Sequence, residues 1–231
     1  MHSNRYTFLY AMGFTALVAL VLAVAATSLY PLQKINEDQA KRKAILQSVM
    51  EVNEETLEAD YSNFITEVVV NVDGEEVADA VAFDLDVAKE SKKSPEERLL
   101  PLFVYKDDSR TNFIIPIQGT GLWGPISAFV ALEDDVTTIY GVVFDHEKET
   151  PGLGAEIKTD RFQDQYKGKK IYDISGTFAT IAVLKGSGND VESEPHIVDG
   201  ISGSTMTTNG VTTMFGEELQ NYSPYFNKIK S

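Results

Sequence analysis

The stretch NFIIPIQGTGLWGPISAFVAL, residues 112–132, decides the fold. It contains two runs rich in β-branched and aromatic residues, 112–118 and 126–132, which favour β-strands. Glycines between the runs match the spacing G-x-G-x-x-G, but a dinucleotide site needs a helix directly after them. Pro125 and a strand-like run follow instead. We therefore reject a dinucleotide site and predict a glycine-rich connection between two strands.

Trp123, the only tryptophan of the chain, lies within this connection. One interpretation places its ring half-buried in a purely structural loop. In the other, the surrounding glycines expose the backbone and present the ring as a flat stacking surface. The sequence leaves both interpretations open.

Outward from this stretch, strands and helices alternate without an internal repeat. Further strands are predicted at 67–72, where Asp73 and Gly74 then form a turn, and at 102–105, 138–145 and 181–184. Helices are predicted at 54–65, 160–166 and 206–222, and a surface loop or one-turn helix at 89–98. This mixture predicts an α+β domain with a mainly antiparallel sheet and flanking helices.

The N-terminal segment carries no charged side chain from Tyr6 to Gln33. Its apolar run, residues 8–29, would span roughly 33 Å as a helix, which matches the hydrocarbon thickness of a bilayer. A cleaved signal peptide would have a shorter apolar region, so we predict a retained transmembrane helix. Residues 34–52 show helical spacing of apolar residues and predict an amphipathic helix that leads out of the bilayer.

The remaining charge is strongly acidic, with 19 basic and 35 acidic residues after Gln33, a net charge of −16. Such a surface repels phosphate backbones, so nucleic-acid binding is not expected. The absence of cysteine excludes disulfides, Cys-ligated metals and thiol catalysis, and three histidines without ligand spacing predict no metal site. Basic residues 34–43 after the helix would place the soluble domain in the cytoplasm by the positive-inside rule, which is weak for long domains.

A short turn, Thr150-Pro151-Gly152-Leu153-Gly154, has the residues of a type II turn. Proline fixes φ at the first central position, and glycine supplies the positive φ of the second. Leu153 is then an apolar side chain held between two glycines on an exposed loop. Such a side chain is able to lie flat on a planar ligand.

Residues 199–209, DGISGSTMTTN, place five hydroxyl side chains just before the last predicted helix. One hydroxyl suffices to cap a helix. Several hydroxyls together with the free N–H groups of a helix N-terminus favour a bound phosphate. The segment lacks the G-x-S-x-G pattern of a hydrolase elbow, so a serine hydrolase is not expected.

Together these segments resemble the C subunit of the sodium-pumping NADH:quinone oxidoreductase and, more broadly, the FMN-binding domain that it shares with the G subunit of the Rnf complex. Residues 199–205 resemble the family's flavinylation signature, and residues 146–154 are similar to its H-x-x-E-T-P-G-L-G stretch, with Glu149 at the Glu position. Residues 121–125 and 162–173 resemble the sodium-pump version. An Rnf-type G subunit remains the alternative within the family.

The resemblance implies an FMN joined through its phosphate to the hydroxyl of Thr205. Ser204 stands where the family usually has alanine, so Ser202, Ser204 and Thr207 are neighbouring hydroxyls to be distinguished from it. The cofactor-binding residues implied by the resemblance are Thr205, Asp199, Ser202, Gly203, Ser204, Thr150, Gly152, Leu153, Trp123 and Lys185. A lysine near the flavin would stabilise negative charge on the reduced ring and raise its potential.

The resemblance also implies an electron-carrying subunit without its own NADH site or catalytic residue, in a complex that reduces quinone and exports sodium. Its expected partners are the other subunits, a flavin transferase and membrane lipid. It implies a single-pass protein of the bacterial inner membrane with an extracytoplasmic domain, against the charge rule. We expect residues 1–33 to form the tail and transmembrane helix, 34–66 a helical connector and 67–231 the FMN domain. A tethered domain that binds FMN or another phosphate ester noncovalently is the alternative outside the family.

Overall fold

The computed structural model describes residues 4–186 and 188–230. The chain divides into two compact units, Met1–Arg42 and Lys43–Ser231. The first unit is almost entirely one helix, and the second contains the sheets and the remaining helices.

Helix α1 (Asn4–Gln47) is continuous and contains Pro31. Its N-terminal part is apolar and long enough to cross a membrane, with a mean hydropathy of 2.3 over the most apolar window. The prediction of a helix to residue 52 was wrong by five residues. The hydroxyl of Ser48 donates to the carbonyl of Ile45 (2.6 Å), and turn hydrogen bonds of residues 48–50 replace the helix there.

The main sheet of the second unit has five antiparallel strands in sequential order. They are β1 (Ile65–Val70), β2 (Leu100–Lys106), β3 (Thr111–Thr120), β4 (Pro125–Leu132) and β5 (Ile139–His146). The hairpin predicted from residues 112–132 is confirmed. Thr120 pairs with Pro125, and the N–H of Gly121 donates to the carbonyl of Gly124 (2.8 Å).

Pro116 lies in the central strand β3, where proline is normally excluded because it cannot donate to the sheet. The pairing of β2 with β3 ends at Phe103 and Ile114, so only β4 pairs with β3 at Pro116. The unpaired side of this part of β3 therefore tolerates a residue without an N–H group.

A second, two-stranded sheet is parallel and consists of β6 (Ala182–Leu184) and β7 (Ile197–Asp199). The first of these strands was predicted and the second was not. The α-helices of this unit after α1 are α2 (Leu57–Phe64), α3 (Val87–Glu90), α4 (Asp160–Gln163), α5 (Thr205–Gln220) and α6 (Ser223–Lys230), and short 3-10 helices lie at Ala82–Asp84, Pro95–Glu97, Gly154–Lys158 and Asp164–Tyr166. Helix α5 corresponds to the helix predicted at 206–222, whereas α6 was not predicted. The α+β class with a mainly antiparallel sheet is confirmed.

Helix α5 packs on the sheet through a stripe of buried residues, Val211, Met214, Phe215 and Leu219. The Phe215 ring stacks on the buried ring of Tyr166, with centroids 5.0 Å apart. Near the start of the helix, a Cβ atom on Gly210 would overlap the carbonyl oxygen of Thr120, and one on Gly119 would lie 2.8 Å from Cβ of Met214. These two glycines bring α5 against the end of β3, beside the glycine-rich hairpin.

Candidate functional site

The hydroxyl-rich segment ends at the N-terminus of α5, as predicted. Thr205 is the first residue of the helix and its side chain is exposed. Ser202 and Gly203 form an exposed turn in which the N–H of Ser204 donates to the carbonyl of Ile201 (3.0 Å), and Gly203 has a φ of +80°. A residue with a Cβ atom would be strained at this φ, so glycine is required there.

Ser204 occupies the N-cap position of α5, but its side chain makes no capping bond. The residue is 5% exposed, and its Oγ is buried without a hydrogen-bond partner among the described residues. A buried hydroxyl in this state costs free energy of folding. Ser204 is therefore a poor acceptor for any modification that must reach its Oγ from solvent.

The predicted type II turn is present. The N–H of Leu153 donates to the carbonyl of Thr150 (3.0 Å), and Gly152 has a φ of +76°. Thr150 is exposed, and the Leu153 side chain is 40% exposed. A Cβ atom on Gly203 would lie 3.0 Å from Cδ2 of Leu153, so this turn and the turn before α5 lie in contact.

Trp123 projects from the β3–β4 hairpin and is 63% exposed, beside Leu122, which is 52% exposed. The half-buried interpretation is therefore wrong, and the ring is available as a stacking surface. Exposed Met206 adds another apolar side chain directly after Thr205. Large apolar side chains are thus exposed on three separate segments, namely the hairpin, the turn and the start of α5.

Glu149 connects these three segments. Its Oε1 accepts a hydrogen bond from the backbone N–H of Trp123 (2.8 Å), and its Oε2 accepts one from the hydroxyl of Thr207 (2.6 Å). Sequence reasoning placed Glu149 in a family motif but gave it no role, and it did not assign one to Thr207. No local pattern distinguishes Glu149 among 35 acidic residues, because its two partners lie 26 and 58 residues away.

Asp199 ends β7 and holds the loop that follows β6. Its carboxylate accepts hydrogen bonds from the N–H groups of Gly188 (2.6 Å) and Asn189 (3.1 Å) and from the Asn189 side chain (2.5 Å). Partial burial acts to raise the pKa of Asp199, but these hydrogen bonds outweigh it and hold the pKa below its usual value. Gln165 bonds both backbone groups of Asp199 and fixes the strand end.

Lys185 is exposed and directly follows β6, which pairs with β7 through Leu184 and Asp199. A Cβ atom on Gly200 would overlap the carbonyl oxygen of Leu184, so this lysine emerges close to the start of the hydroxyl-rich segment. The parallel pairing therefore brings Lys185 to the same region as Asp199 and Gly200. The hydroxyl-rich segment and the Thr150–Gly154 turn meet at the contact between Gly203 and Leu153. Glu149 links the backbone of Trp123 to Thr207 in the first turn of α5.

A cavity of about 430 Å³ opens beside the hydroxyl-rich segment, within the usual size range of ligand pockets. The cavity is lined by Gly200, Ile201 and Ser202 and also by Arg161, Gln165 and the acidic residues Glu156 and Asp199. Helix α5 carries no acidic residue in its first turn. Its N-terminal dipole and free N–H groups therefore favour an anion at this end.

A family model described as "FMN-binding domain" matches residues 121–220 of the chain. The C subunit of the Na(+)-translocating NADH-quinone reductase of Haemophilus ducreyi is 32% identical over 92% of this chain and 89% of its own length. The corresponding subunit of Neisseria meningitidis is 32% identical over 97% and 94%.

Solved structures of this type of subunit share the fold. The crystal structure of the C subunit from Parabacteroides distasonis is 39% identical, covers 86% of this chain and 96% of its own, and has a TM-score of 0.76. That of the Shewanella oneidensis protein is 26% identical, with a TM-score of 0.72 and coverage of 85% and 99%. Both similarities extend well beyond the residues that the family model matches.

Proposed function

This chain belongs to the family of C subunits of the Na(+)-translocating NADH-quinone reductase, and we propose that it carries FMN covalently as a phosphoester of Thr205. It is an FMN-carrying subunit of an oxidoreductase complex. Within that complex we propose that it relays electrons between redox centres of neighbouring subunits and has no NADH site of its own.

The exposure of the hydroxyl groups is the observation that carries the proposed acceptor. Thr205 is exposed at the N-terminus of α5, whereas Ser204 is buried and Thr207 donates its hydroxyl to Glu149 inside the protein. Ser202 is also exposed, but it precedes the helix in the turn. Only Thr205 combines access from solvent with the first position of the helix, where the dipole favours a phosphate.

The residues around Thr205 also suit the remainder of FMN. Exposed Trp123, Leu153 and Met206 offer apolar surface for a planar ring, and the N-terminus of α5 offers N–H groups for a phosphate. We propose that Thr205 tethers the cofactor and that Thr150, Gly152, Leu153 and Trp123 shape the surroundings of its ring. When bound, FMN supplies the one- and two-electron chemistry that no amino-acid side chain provides.

The remaining cofactor-binding residues would determine the shape of the segment that carries Thr205 and the charge near the cofactor. Asp199 and Gly203 fix the segment that carries Thr205, Ser202 lines the adjoining cavity, and buried Ser204 caps the helix by its backbone alone. Exposed Lys185 emerges nearby, where its positive charge would favour the reduced, anionic form of the cofactor. The tether keeps the cofactor attached when the domain exchanges electrons.

We further propose a single-pass inner-membrane protein whose domain lies on the extracytoplasmic side. The apolar part of α1 supports the anchor. The proposed partners are the other subunits of the complex, the surrounding lipid and a flavin transferase that loads FMN, and the proposed overall reaction couples NADH oxidation and quinone reduction to sodium export. A reporter that is active only outside the cytoplasm, fused after Ser231, should be active; an inactive fusion with an active cytoplasmic reporter at the same position would contradict the topology.

Covalent attachment is tested by coexpression of the full chain with a flavin transferase and analysis on a denaturing gel. We expect a fluorescent flavin band that survives SDS in the wild type and in Ser202→Ala and Ser204→Ala, and loss of the band in Thr205→Ala. Mass spectrometry of the peptide that contains Thr205 should show the added FMN phosphoester.

A wild-type protein that releases all flavin in SDS would contradict the covalent proposal and support noncovalent binding. Loss of the band in Ser204→Ala, with retention in Thr205→Ala, would show that Ser204 and not Thr205 is the acceptor. Thr205→Ser provides a matched control, since it keeps a hydroxyl at the same position.

A further inference from the structure

The Glu149 carboxylate is buried where three segments of the site meet. The residue is 5% exposed, and each of its carboxylate oxygens accepts one hydrogen bond, from the N–H of Trp123 and from the hydroxyl of Thr207. Its own N–H donates to Nδ1 of His146 (3.3 Å). Thr207 lies two residues after the proposed acceptor, and Thr150 directly follows Glu149.

Two glycines leave the space that this carboxylate fills. A Cβ atom on Gly121 would lie 2.6 Å from Oε1 of Glu149, and one on Gly154 would overlap Oε2 and lie 2.7 Å from Oγ1 of Thr207. Backbone from the hairpin and from the turn therefore packs directly against the carboxylate. A side chain at either glycine would push the two loops away from α5.

This arrangement is costly if it serves stability alone. No Lys, Arg or His forms an ion pair with Glu149 in the described part of the chain, so two neutral donors hold a buried carboxyl group. Burial of a carboxyl group without a cationic partner costs free energy of folding. A positional role accounts for this cost, because one group with two acceptor oxygens fixes two segments at once.

We propose that Glu149 is a positioning residue that sets the spacing between the Trp123 hairpin, the Thr150–Gly154 turn and the first turn of α5. It acts through the residues that it holds, and it thereby fixes where the ring of a cofactor tethered at Thr205 lies. The second half of this inference rests on the proposed function. The first half concerns this chain alone and is measurable without FMN.

The test uses the full chain in detergent and two readouts. In protein expressed without a flavin transferase, the fluorescence of Trp123, the sole tryptophan, reports the hairpin. In loaded protein, the midpoint potential and the visible spectrum report the surroundings of the flavin. The variants are Glu149→Ala, Glu149→Gln and Thr207→Val, and Glu147→Ala is the matched control because Glu147 is an exposed carboxylate two residues away.

We expect Glu149→Ala to increase acrylamide quenching of Trp123 and to shift the midpoint potential. Thr207→Val, which removes one of the two donors, should shift both readouts in the same direction by less. Glu149→Gln should restore the quenching of Trp123, since its amide oxygen can accept from the N–H of Trp123 while its amide N–H₂ donates to the hydroxyl of Thr207. Replacement of a carboxyl group by an amide can also change the potential electrostatically, so quenching alone decides for this variant. Glu147→Ala should match the wild type.

Glu149→Gln that matches Glu149→Ala in acrylamide quenching would overturn the proposal, because the hydrogen bonds that the amide keeps would then not be what holds the hairpin. A melting temperature that falls in Glu149→Ala while quenching and potential stay at wild-type values would also overturn it, since the role would then be stability alone. If Glu149→Ala does not fold, the proposal is tested by the increased quenching expected of Thr207→Val and by the wild-type quenching expected of Glu149→Gln. Failure of covalent loading in the wild type is a separate result, and the quenching measurement is unaffected by it.

Discussion

At the scale of single residues, Ser204 has a buried hydroxyl group that lowers the stability of the folded protein. Its Oγ is buried and has no hydrogen-bond partner among the residues that the structure describes. Ser204→Ala removes the unsatisfied hydroxyl, so the free energy of unfolding should rise by about 1 kcal/mol. Urea unfolding of the unloaded chain measures it, with exposed Ser202→Ala as the control that should change little. A Ser204→Ala protein that is less stable than the wild type would show that the hydroxyl has a partner.

Asp199 predicts a pH dependence. Its folded-state pKa lies below its usual value, so its hydrogen bonds add stability above the unfolded pKa of about 3.9, and this stability is lost as the pH falls through the folded pKa. Asp199→Asn should therefore be less stable than the wild type at pH 6, and the difference should shrink below about pH 4. Unfolding at several pH values measures it. Asp190→Asn, an exposed change in the same loop, should show no such pattern.

At the scale of elements, the contact between α5 and the end of β3 depends on Gly210. A Cβ atom there would overlap the backbone oxygen of Thr120, which cannot rotate away as a side chain can. Gly210→Ala should therefore move the start of α5, lower the free energy of unfolding by about 2 kcal/mol and reduce covalent FMN loading. Thermal or urea unfolding and the flavin band on a denaturing gel measure the two effects.

Gly216 provides the matched control within the same helix. Its added Cβ atom would lie 3.3 Å from Oγ1 of Thr180, the end of a side chain that can adjust. Alanine also has the higher helix propensity, by about 1 kcal/mol. Gly216→Ala should therefore keep or raise stability and load FMN normally. Equal losses in both variants would contradict the role given to the Gly210 contact.

Much of this element-level structure was predictable from the sequence. Residues 112–132 predict the hairpin because strand formers and glycines specify it locally, and 150–154 predict a turn because proline and glycine fix its dihedral angles. Strand β7 was missed because only two apolar residues, Ile197 and Val198, precede Asp199, whereas β6 lies in the continuous apolar run 181–184. The helix expected at 206–222 ends earlier, since Asn221 and Tyr222 form a turn before α6.

The site was predictable only where its residues are local. The hydroxyl-rich segment predicts a phosphate site because the hydroxyls and the helix start adjoin in sequence. The Glu149 contacts to Trp123 and Thr207 were not predictable, because a buried carboxylate and an exposed one look alike in sequence. The burial of Ser204 was likewise not predictable, because a buried serine and an exposed one look alike in sequence.

At the scale of the whole molecule, apolar surface and charge are divided along the chain. The exposed large apolar side chains of α1 lie between Tyr6 and Ile35, while all 35 acidic residues follow Gln33. An exposed apolar helix of this length is compatible with a membrane anchor. The acidic unit, by contrast, has its own buried core and a surface that favours water.

Deletion of residues 1–33 should therefore convert the protein to a soluble one. We expect the shortened chain to remain in the supernatant after ultracentrifugation without detergent, whereas the full chain should sediment with membranes. The net charge of −16 on the remaining residues opposes aggregation. Because the Lys43–Ser231 unit contains every residue of the proposed site, the shortened chain should still accept FMN at Thr205 when coexpressed with a flavin transferase. A shortened chain that aggregates, or that stays soluble but is not modified, would show that the membrane helix contributes to the fold or to loading as well as to anchoring.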